Sequence, residues 1–294
     1  MARQGDIRIG ISGWTYGGWR GVFYPKGLPH RRELGFAASI FSSIEINGTF
    51  YSLQRPEYFA RWAAEVHDGF AFAVKGSRFI THMLKLRNCE APLANFLASG
   101  VLRLGPKLGP ILWQFPASFR YDRERLAAFL ALLPRDTERA ARLAHRHDER
   151  VSGRSWLKTD AKRPLRHAFE VRHDSFADPD FVALLRSHNA ALVVSDAVDW
   201  PHFADATADF VYCRLHGSEE LYASGYDDEA LDRWAARVSA WAAGGEPKDL
   251  KRIAARPAPR RARDVFVYFD NDAKVRAPFD ALGLMARLRA AKDG

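Results

Sequence analysis

His-Ala-Phe-Glu-Val-Arg-His, residues 167–173, sorts its side chains by parity. Successive side chains of an extended strand point to opposite faces. Phe169 and Val171 therefore share one face, and Glu170 and Arg172 share the other. Apolar residues turned toward covering helices, with charge turned inward at the strand's carboxyl end, suit a strand of a closed parallel barrel. Phe-Ala-Phe-Ala-Val-Lys-Gly at 70–76 is built alike, with Phe72 and Val74 outward and Ala71, Ala73 and Lys75 inward.

Working outward, eight runs rich in β-branched and aromatic residues alternate with helix-period segments. The predicted strands are Ile7 to Trp14, Ser43 to Tyr51, Phe70 to Gly76, Gly109 to Phe115, His167 to His173, Ala190 to Asp196, Phe210 to Gly217 and Val265 to Asn271. The predicted helices are Arg32 to Phe41, Glu57 to Val66, Cys89 to Leu97, Arg123 to Leu133, Pro179 to His188, Asp228 to Ala243 and Ala277 to Ala291. The sixth crossover, Ala197 to Asp209, is too short for a full helix. Alternation of this kind fits an α/β fold, a (β/α)8 TIM-like barrel in a single domain, better than an open doubly wound sheet.

A chain of 294 residues with 47% hydrophobic residues can bury one sizeable core. Apolar stretches are broken by charge before the roughly 18 residues of a membrane span, and Met1 to Ile7 lacks a signal-peptide apolar region. Cys89 and Cys213 stand apart with no ligand partner at metal spacing, so a reducing compartment and no structural zinc are expected. The expected location is cytoplasmic, with no membrane partner.

The net charge of +9 is concentrated in two stretches. Residues 135–166 hold ten Lys/Arg against five Asp/Glu, and residues 245–264 hold seven against three. Both precede strands, which places them as helix-to-strand connections at the barrel's amino-terminal face, away from an active site. The first is a basic helical insert between the fourth helix and the fifth strand. There Arg139, Arg142, Arg146 and Arg150 recur at helical spacing, as a solvated stripe or as a nonspecific contact for nucleic acid. The second, rich in Pro and Arg, reads as a mobile connector.

Carrying the parity around the strands gives inward Ser12, Glu45, Asn47, Lys75, Gln114, Glu170, Arg172, Asp196, Arg214, His216 and Asp270, all at carboxyl ends. Buried charge costs several kcal/mol in order of magnitude unless paired, so such a ring is either an ion-pair plug or a site. As a site, Lys75, Arg172 and Arg214 suit an anionic or carbonyl group. Glu170 and Asp196 form a candidate acid/base pair, and His216 a proton shuttle. A metal on Glu170, Asp196, His216 and Asp270 is disfavoured by the three cations, so neither metal nor cofactor is expected. Trp14, Tyr16, Trp19, Trp200, Tyr222 and Tyr226 gather in the adjoining loops, to stack on a ligand or to pack. No Gly-x-Ser-x-Gly nucleophile motif occurs.

Gly-Ile-Ser-Gly-Trp at 10–14, Phe-Tyr-Pro at 23–25, Glu-Ile-Asn-Gly-Thr-Phe-Tyr at 45–51, Val-Lys-Gly at 74–76 and Thr81-His82 begin a series of motifs. It continues with Leu-Gly-Pro-Ile-Leu-Trp-Gln-Phe-Pro at 108–116, Glu-Val-Arg-His at 170–173, Asp196, Arg-Leu-His-Gly at 214–217 and Tyr-Phe-Asp-Asn-Asp at 268–272. Together these resemble the YecE-like family, a domain of unknown function. The resemblance implies a TIM-barrel-like fold with distant kinship to barrels of the xylose isomerase and endonuclease IV type. It adds His173 and Asn271 to the candidate binding residues. Family members often read Phe-Asn-Asn-His where this chain has Phe269-Asp270-Asn271-Asp272.

Three readings of function follow. The first is an enzyme acting on a small polar or anionic metabolite, with Glu170, Asp196, Lys75 and His216 catalytic. In it Trp14, Glu45, Asn47, Gln114, Arg172, His173, Arg214, Tyr222, Tyr226, Asp270 and Asn271 bind the substrate. The second is a nucleic-acid-binding protein, and the third a ligand sensor or scaffold.

Overall fold

The computed structural model describes residues 4–217, 221 and 224–293. Eight strands follow one another in chain order around a closed barrel. They are β1 (Ile7–Ser12), β2 (Ser43–Ile46), β3 (Ala71–Lys75), β4 (Leu108–Gln114), β5 (His167–Glu170), β6 (Ala191–Asp196), β7 (Phe210–Leu215) and β8 (Asp264–Phe269). The helices are α1 (Glu33–Ile40), α2 (Gly48–Tyr51), α3 (Pro56–Glu65), α4 (Glu90–Ala98), α5 (Arg123–Leu132), α6 (Thr137–Ala144), α7 (Pro179–Ser187), α8 (Asp228–Ala242) and α9 (Ala277–Asp293). As expected, no helix bridges β6 and β7. None among the described residues is long and apolar enough to cross a membrane. Asp122, Asp136, Asp178 and Asp227 each accept an amide hydrogen bond at the start of a helix, which fixes where α5, α6, α7 and α8 begin.

The chain divides into two compact units, Met1–Ile44 with Asp174–Gly294, and Glu45–His173. In the first, β1 pairs in parallel with β8, β8 with β7 and β7 with β6. Gly10 lets β1 lie close, because a Cβ there would stand 1.8 Å from the Ser43 carbonyl oxygen. An aromatic cluster of Tyr16, Trp19, Phe23, Tyr24 and Phe36 packs after β1. Trp19 is fully buried there, so packing is its role.

The connector at 245–264 is pinned rather than mobile. Asp205 accepts from the amides of Ile253 and Ala254 at 2.7 and 2.9 Å. Glu246 accepts from the Ala206 amide and from Arg252. Arg263, 1% exposed, donates to the carbonyls of Ala208, Gly244, Pro259 and Arg261, and burial lowers its pKa. Proline and arginine content suggested looseness, but backbone donors gathered on two carboxylates remove it.

In the second unit β3, β4 and β5 pair in parallel, with Gln114 opposite Glu170. Strands β3 and β4 end one residue before their sequence pattern, and two others end well short of it. The predicted second strand stops at Ile46, because Asn47 leaves the extended region and Thr49 Oγ1 lies 3.0 Å from Ile46 O and 2.7 Å from Lys75 O, turning the chain into α2. The fifth stops at Glu170, so Arg172 and His173 lie beyond it.

The basic segment between α5 and β5 also departs from expectation. Its ends are tied by an antiparallel bridge of Asp136 with Pro164. Between them α6 packs on α4, Arg146 pairs with Glu90, and the Asp148 amide donates to Asn95. The Arg150 guanidinium then sits 5.7 Å from the Phe79 ring centre, in the loop after β3. The segment thus leaves the amino-terminal face and reaches a carboxyl-end loop, which charge counting cannot reveal.

His167, at the start of β5, accepts from Trp113 Nε1 at 3.2 Å and donates through Nε2 to Pro134 O at 2.9 Å. Both ring nitrogens are satisfied only in the neutral tautomer. Burial accordingly lowers its pKa from 6.5 to about 4. The unfolded chain takes up this proton first as pH falls, so His167 stabilises the fold fully above pH 6.5 and loses that effect progressively down to about pH 4. The loss expected across this window is on the order of 3 kcal/mol. Urea midpoints from pH 7 to pH 4 check it: His167→Gln, which keeps both hydrogen bonds, should show a smaller decline than the parent protein.

Candidate functional site

Each unit carries its own cluster of polar side chains at strand carboxyl ends. In the first, Asp270 holds two partners. Arg214, fully buried, donates to Asp270 Oδ2 at 2.8 Å and to Ser12 Oγ at 3.2 Å. His216, also fully buried, places Nδ1 3.1 Å from the same Oδ2, and its Nε2 lies 3.5 Å from Arg214. The Trp200 ring meets His216 edge-on at 4.9 Å. Asp196 accepts from Trp234 Nε1 at 3.1 Å and from the Tyr226 hydroxyl. Burial, then the Asp196 charge, push the Tyr226 phenol well up, while its oxygen accepts from the Gly217 amide.

Asn271 donates to Asp280 at 2.7 Å and to Ser224 O, which ties the end of β8 to α9. Burial raises the Asp280 pKa. Trp14 is half-buried, and its carbonyl accepts from the Tyr24 hydroxyl. Tyr222 lies outside the described residues.

In the second unit Glu170 has no exposed surface. Gln114 donates to its Oε2 at 2.9 Å, and Arg172 donates to its Oε1 through Nε and a terminal nitrogen at 3.0 and 2.8 Å. Arg172 is thus anchored on Glu170, two residues before it. Glu45 is fully buried at the end of β2. Lys75 is 8% exposed, and its ammonium lies 4.5 Å from the Phe50 ring centre, a cation–π contact. Asn47 Oδ1 is buried without a hydrogen-bond partner. His173 is half-buried just past Arg172.

The sequence pattern left His82 outside the candidate residues, although Thr81-His82 stood among the motifs. A π-helical turn, Phe79–Met83, carries it into this cluster. Its ring meets Phe50 edge-on at 5.1 Å, and Nδ1 lies 2.9 Å from Thr81 Oγ1. Burial first, then the cations Arg172, Lys75 and Arg78, lower its pKa from 6.5 to about 4, and only Glu170 acts the other way. Composition and periodicity hold no signal for a π-turn, so only the dipeptide could have pointed to it.

Chemically, the second cluster offers cations, a neutral imidazole able to take a proton, and a carboxylate locked in place. No group of three or more His, Cys, Asp and Glu able to hold a metal ion occurs among the described residues.

A model of the family described as "Protein of unknown function DUF72" matches residues 8–294. The chain is 32% identical over 113 residues to the UPF0759 protein YecE of Escherichia coli K12, covering 38% of this chain and 39% of that one. It is 29% identical over 126 residues to the UPF0759 protein YunF of Bacillus subtilis 168, covering 41% and 44%. The matched stretch thus spans about two-fifths of these curated relatives. Among solved structures, a DUF72 family protein of Thermotoga maritima superposes with TM-score 0.70 at 23% identity, covering 97% of this chain and 99% of that one. One from Enterococcus faecalis gives 0.67 at 18%, covering 96% and 95%. At such identities the likeness is one of fold.

Removing the Glu170 charge should leave Arg172 buried without its carboxylate. Glu170→Gln is expected to cost on the order of 3 kcal/mol in urea unfolding. Gln114→Leu, which removes a neutral donor, should cost less, about 1 to 2 kcal/mol. Equal losses would show that the Arg172 pair contributes no more than an ordinary hydrogen bond.

Proposed function

We propose, on the premise that the chain belongs to the DUF72 family of proteins of unknown function, that it is an enzyme acting on a small anionic metabolite at the carboxyl ends of β3, β4 and β5. The charge around His82 carries the reading. Three cations oppose protonation of that ring and one carboxylate favours it, so the local field is positive and complementary to an anion. Lys75 and Arg172 are the proposed binding cations. The planar guanidinium of Arg172 suits carboxylate or phosphate oxygens, and Glu170, itself held by Gln114, orients it. The orphaned Asn47 oxygen fits a donor on the same ligand. In the other unit, Arg214, Asp270 and His216 are proposed as a fixed polar support, since they engage one another.

Calorimetric titration with sulfate at low ionic strength tests this. One sulfate per chain is expected, with affinity reduced tenfold or more in Lys75→Met and in Arg172→Gln, as the loss of a charge-assisted hydrogen bond implies. Absence of saturable binding, or unchanged affinity in both variants, would remove the reading.

A second reading rests on a separate feature. A groove of about 370 Å3 is lined by Leu132, Pro134, Arg135, Arg139, Arg142 and Arg146 among others. Arg139 and Arg146 hold exposed guanidinium groups that pair with Asp136 and Glu90, and surface pairs of this kind are weak and readily exchanged for a ligand. No aromatic or amide side chain lines it to stack on or read a base. The groove is therefore proposed to contact a nucleic-acid backbone without sequence preference. Duplex binding followed by anisotropy should weaken steeply with salt, and Arg139→Gln, Arg142→Gln and Arg146→Gln combined should flatten the slope by roughly 0.9 for each phosphate no longer neutralised. An unaltered slope would exclude the groove.

A further inference from the structure

We propose that His82 is the proton-transfer residue of the β3–β5 site and takes up a proton when an oxyanion seats on Lys75 and Arg172. This rests on the anion-site reading above and adds the group that moves the proton.

The geometry around His82 is built rather than incidental. The π-helical turn Phe79–Met83 widens the backbone by one residue per turn, a distortion frequent at functional sites. Directly after it Lys85, Leu86 and Asn88 take φ values of 48°, 65° and 50°. Residues bearing a Cβ occupy this left-handed region at a cost of about 1 kcal/mol or more each, so the surrounding contacts must impose the shape. Those contacts are visible. Arg150 lies over Phe79 at the start of the turn, Leu86 is buried, and Thr81 is fully buried.

The ring is also suited to changing charge. Thr81 Oγ1 faces Nδ1, and a hydroxyl can either donate to a bare ring nitrogen or accept from a protonated one. Both charge states of His82 therefore keep their hydrogen bond, and Nε2 is the nitrogen left for a ligand. Lys75 and His82 both touch the Phe50 ring, at 4.5 and 5.1 Å, and the Lys75 charge acts on the imidazole.

The charged groups acting on His82 are Lys75 from β3, Arg78 from the turn, and Arg172 and Glu170 from the end of β5. Phe50 meets it from α2, and Glu45 ends β2. Burial and, after it, the three cations outweigh Glu170, so the ring is neutral above about pH 4. An oxyanion on Lys75 and Arg172 offsets two of the three cations and favours the imidazolium directly. The ring's pKa then rises from about 4 toward the ordinary 6.5. By linkage, binding takes up a proton between these pH values, and anion affinity increases as pH falls through the same window. The imidazolium so formed can pass its Nε2 proton to the bound anion and keep the one on Nδ1.

Sulfate is a suitable probe because it does not titrate near pH 5. Calorimetry at pH 5.5 in two buffers of different ionisation enthalpy measures protons taken up per sulfate. A substantial fraction of one proton is expected in the parent protein, and none in His82→Asn, which retains Lys75 and Arg172 to bind the ion. Independently of that variant, the His82 Cε1–H resonance of the parent protein should titrate at least one pH unit higher in saturating sulfate. Failure of sulfate to bind at all would overturn the anion-site reading, and this inference with it. Sulfate binding without uptake, uptake persisting in His82→Asn, or an unmoved His82 titration would overturn the inference and leave the anion site standing.

Discussion

A carboxylate with no exposed surface must be met by donors on every side, and in residues 45–173 Glu170 sets that demand. Gln114 can answer because the parallel register places it opposite Glu170. Arg172 answers from two residues farther along the chain, donating through Nε and a terminal nitrogen. The strand ends at Glu170, and the Arg172 guanidinium lies 2.8 Å from its carboxylate. One buried charge thus fixes a strand end, a side-chain rotamer on the neighbouring strand and the position of a guanidinium. That guanidinium is the leading cation acting on His82.

Residues 1–44 and 174–294 meet the same demand with a different economy. Asp270 serves Arg214 and His216 together, Ser12 takes a further donor of Arg214, and Asn271 is spent on Asp280. Farther down, Arg263 is buried among carbonyls with no carboxylate in its hydrogen-bond set. Four carbonyl dipoles can hold a guanidinium, but they leave desolvation uncompensated enough to lower its pKa. Orienting groups dominate this unit, and they suit rigidity more than exchange of a proton.

The parity of β3 and β5 was legible because Phe72, Val74 and Phe169 contrast sharply with Lys75 and Glu170 along each strand. From that contrast came the strand count, the inward set and the barrel. Strand ends were not legible, because side-chain ties decide them: Thr49 reaches back to Ile46 and across to Lys75, and Arg172 folds onto Glu170. Net charge was legible in the segments 135–166 and 245–264, but its placement was not. Composition cannot say that Arg150 travels to Phe79, or that Asp205 and Glu246 gather the connector's amides. His82 escaped notice for a related reason, since its place depends on a backbone irregularity that no propensity encodes.

The two clusters differ in what would remain for a ligand. Around Asp270 an added anion would meet a carboxylate already engaged by Arg214 and His216, so binding would have to break the buried Arg214 pair. Around His82 the charges acting on the ring are three cations and Glu170, a carboxylate that both Gln114 and Arg172 hold in place. The field there is sustained at a cost, because cations near one another repel and the half-buried imidazole forgoes its proton. A fold indifferent to ligands would relieve that cost by a single Lys-to-apolar exchange at position 75. Lys75 instead keeps its ammonium, 8% exposed, against the Phe50 ring, where the cation–π contact replaces part of the hydration that burial removes.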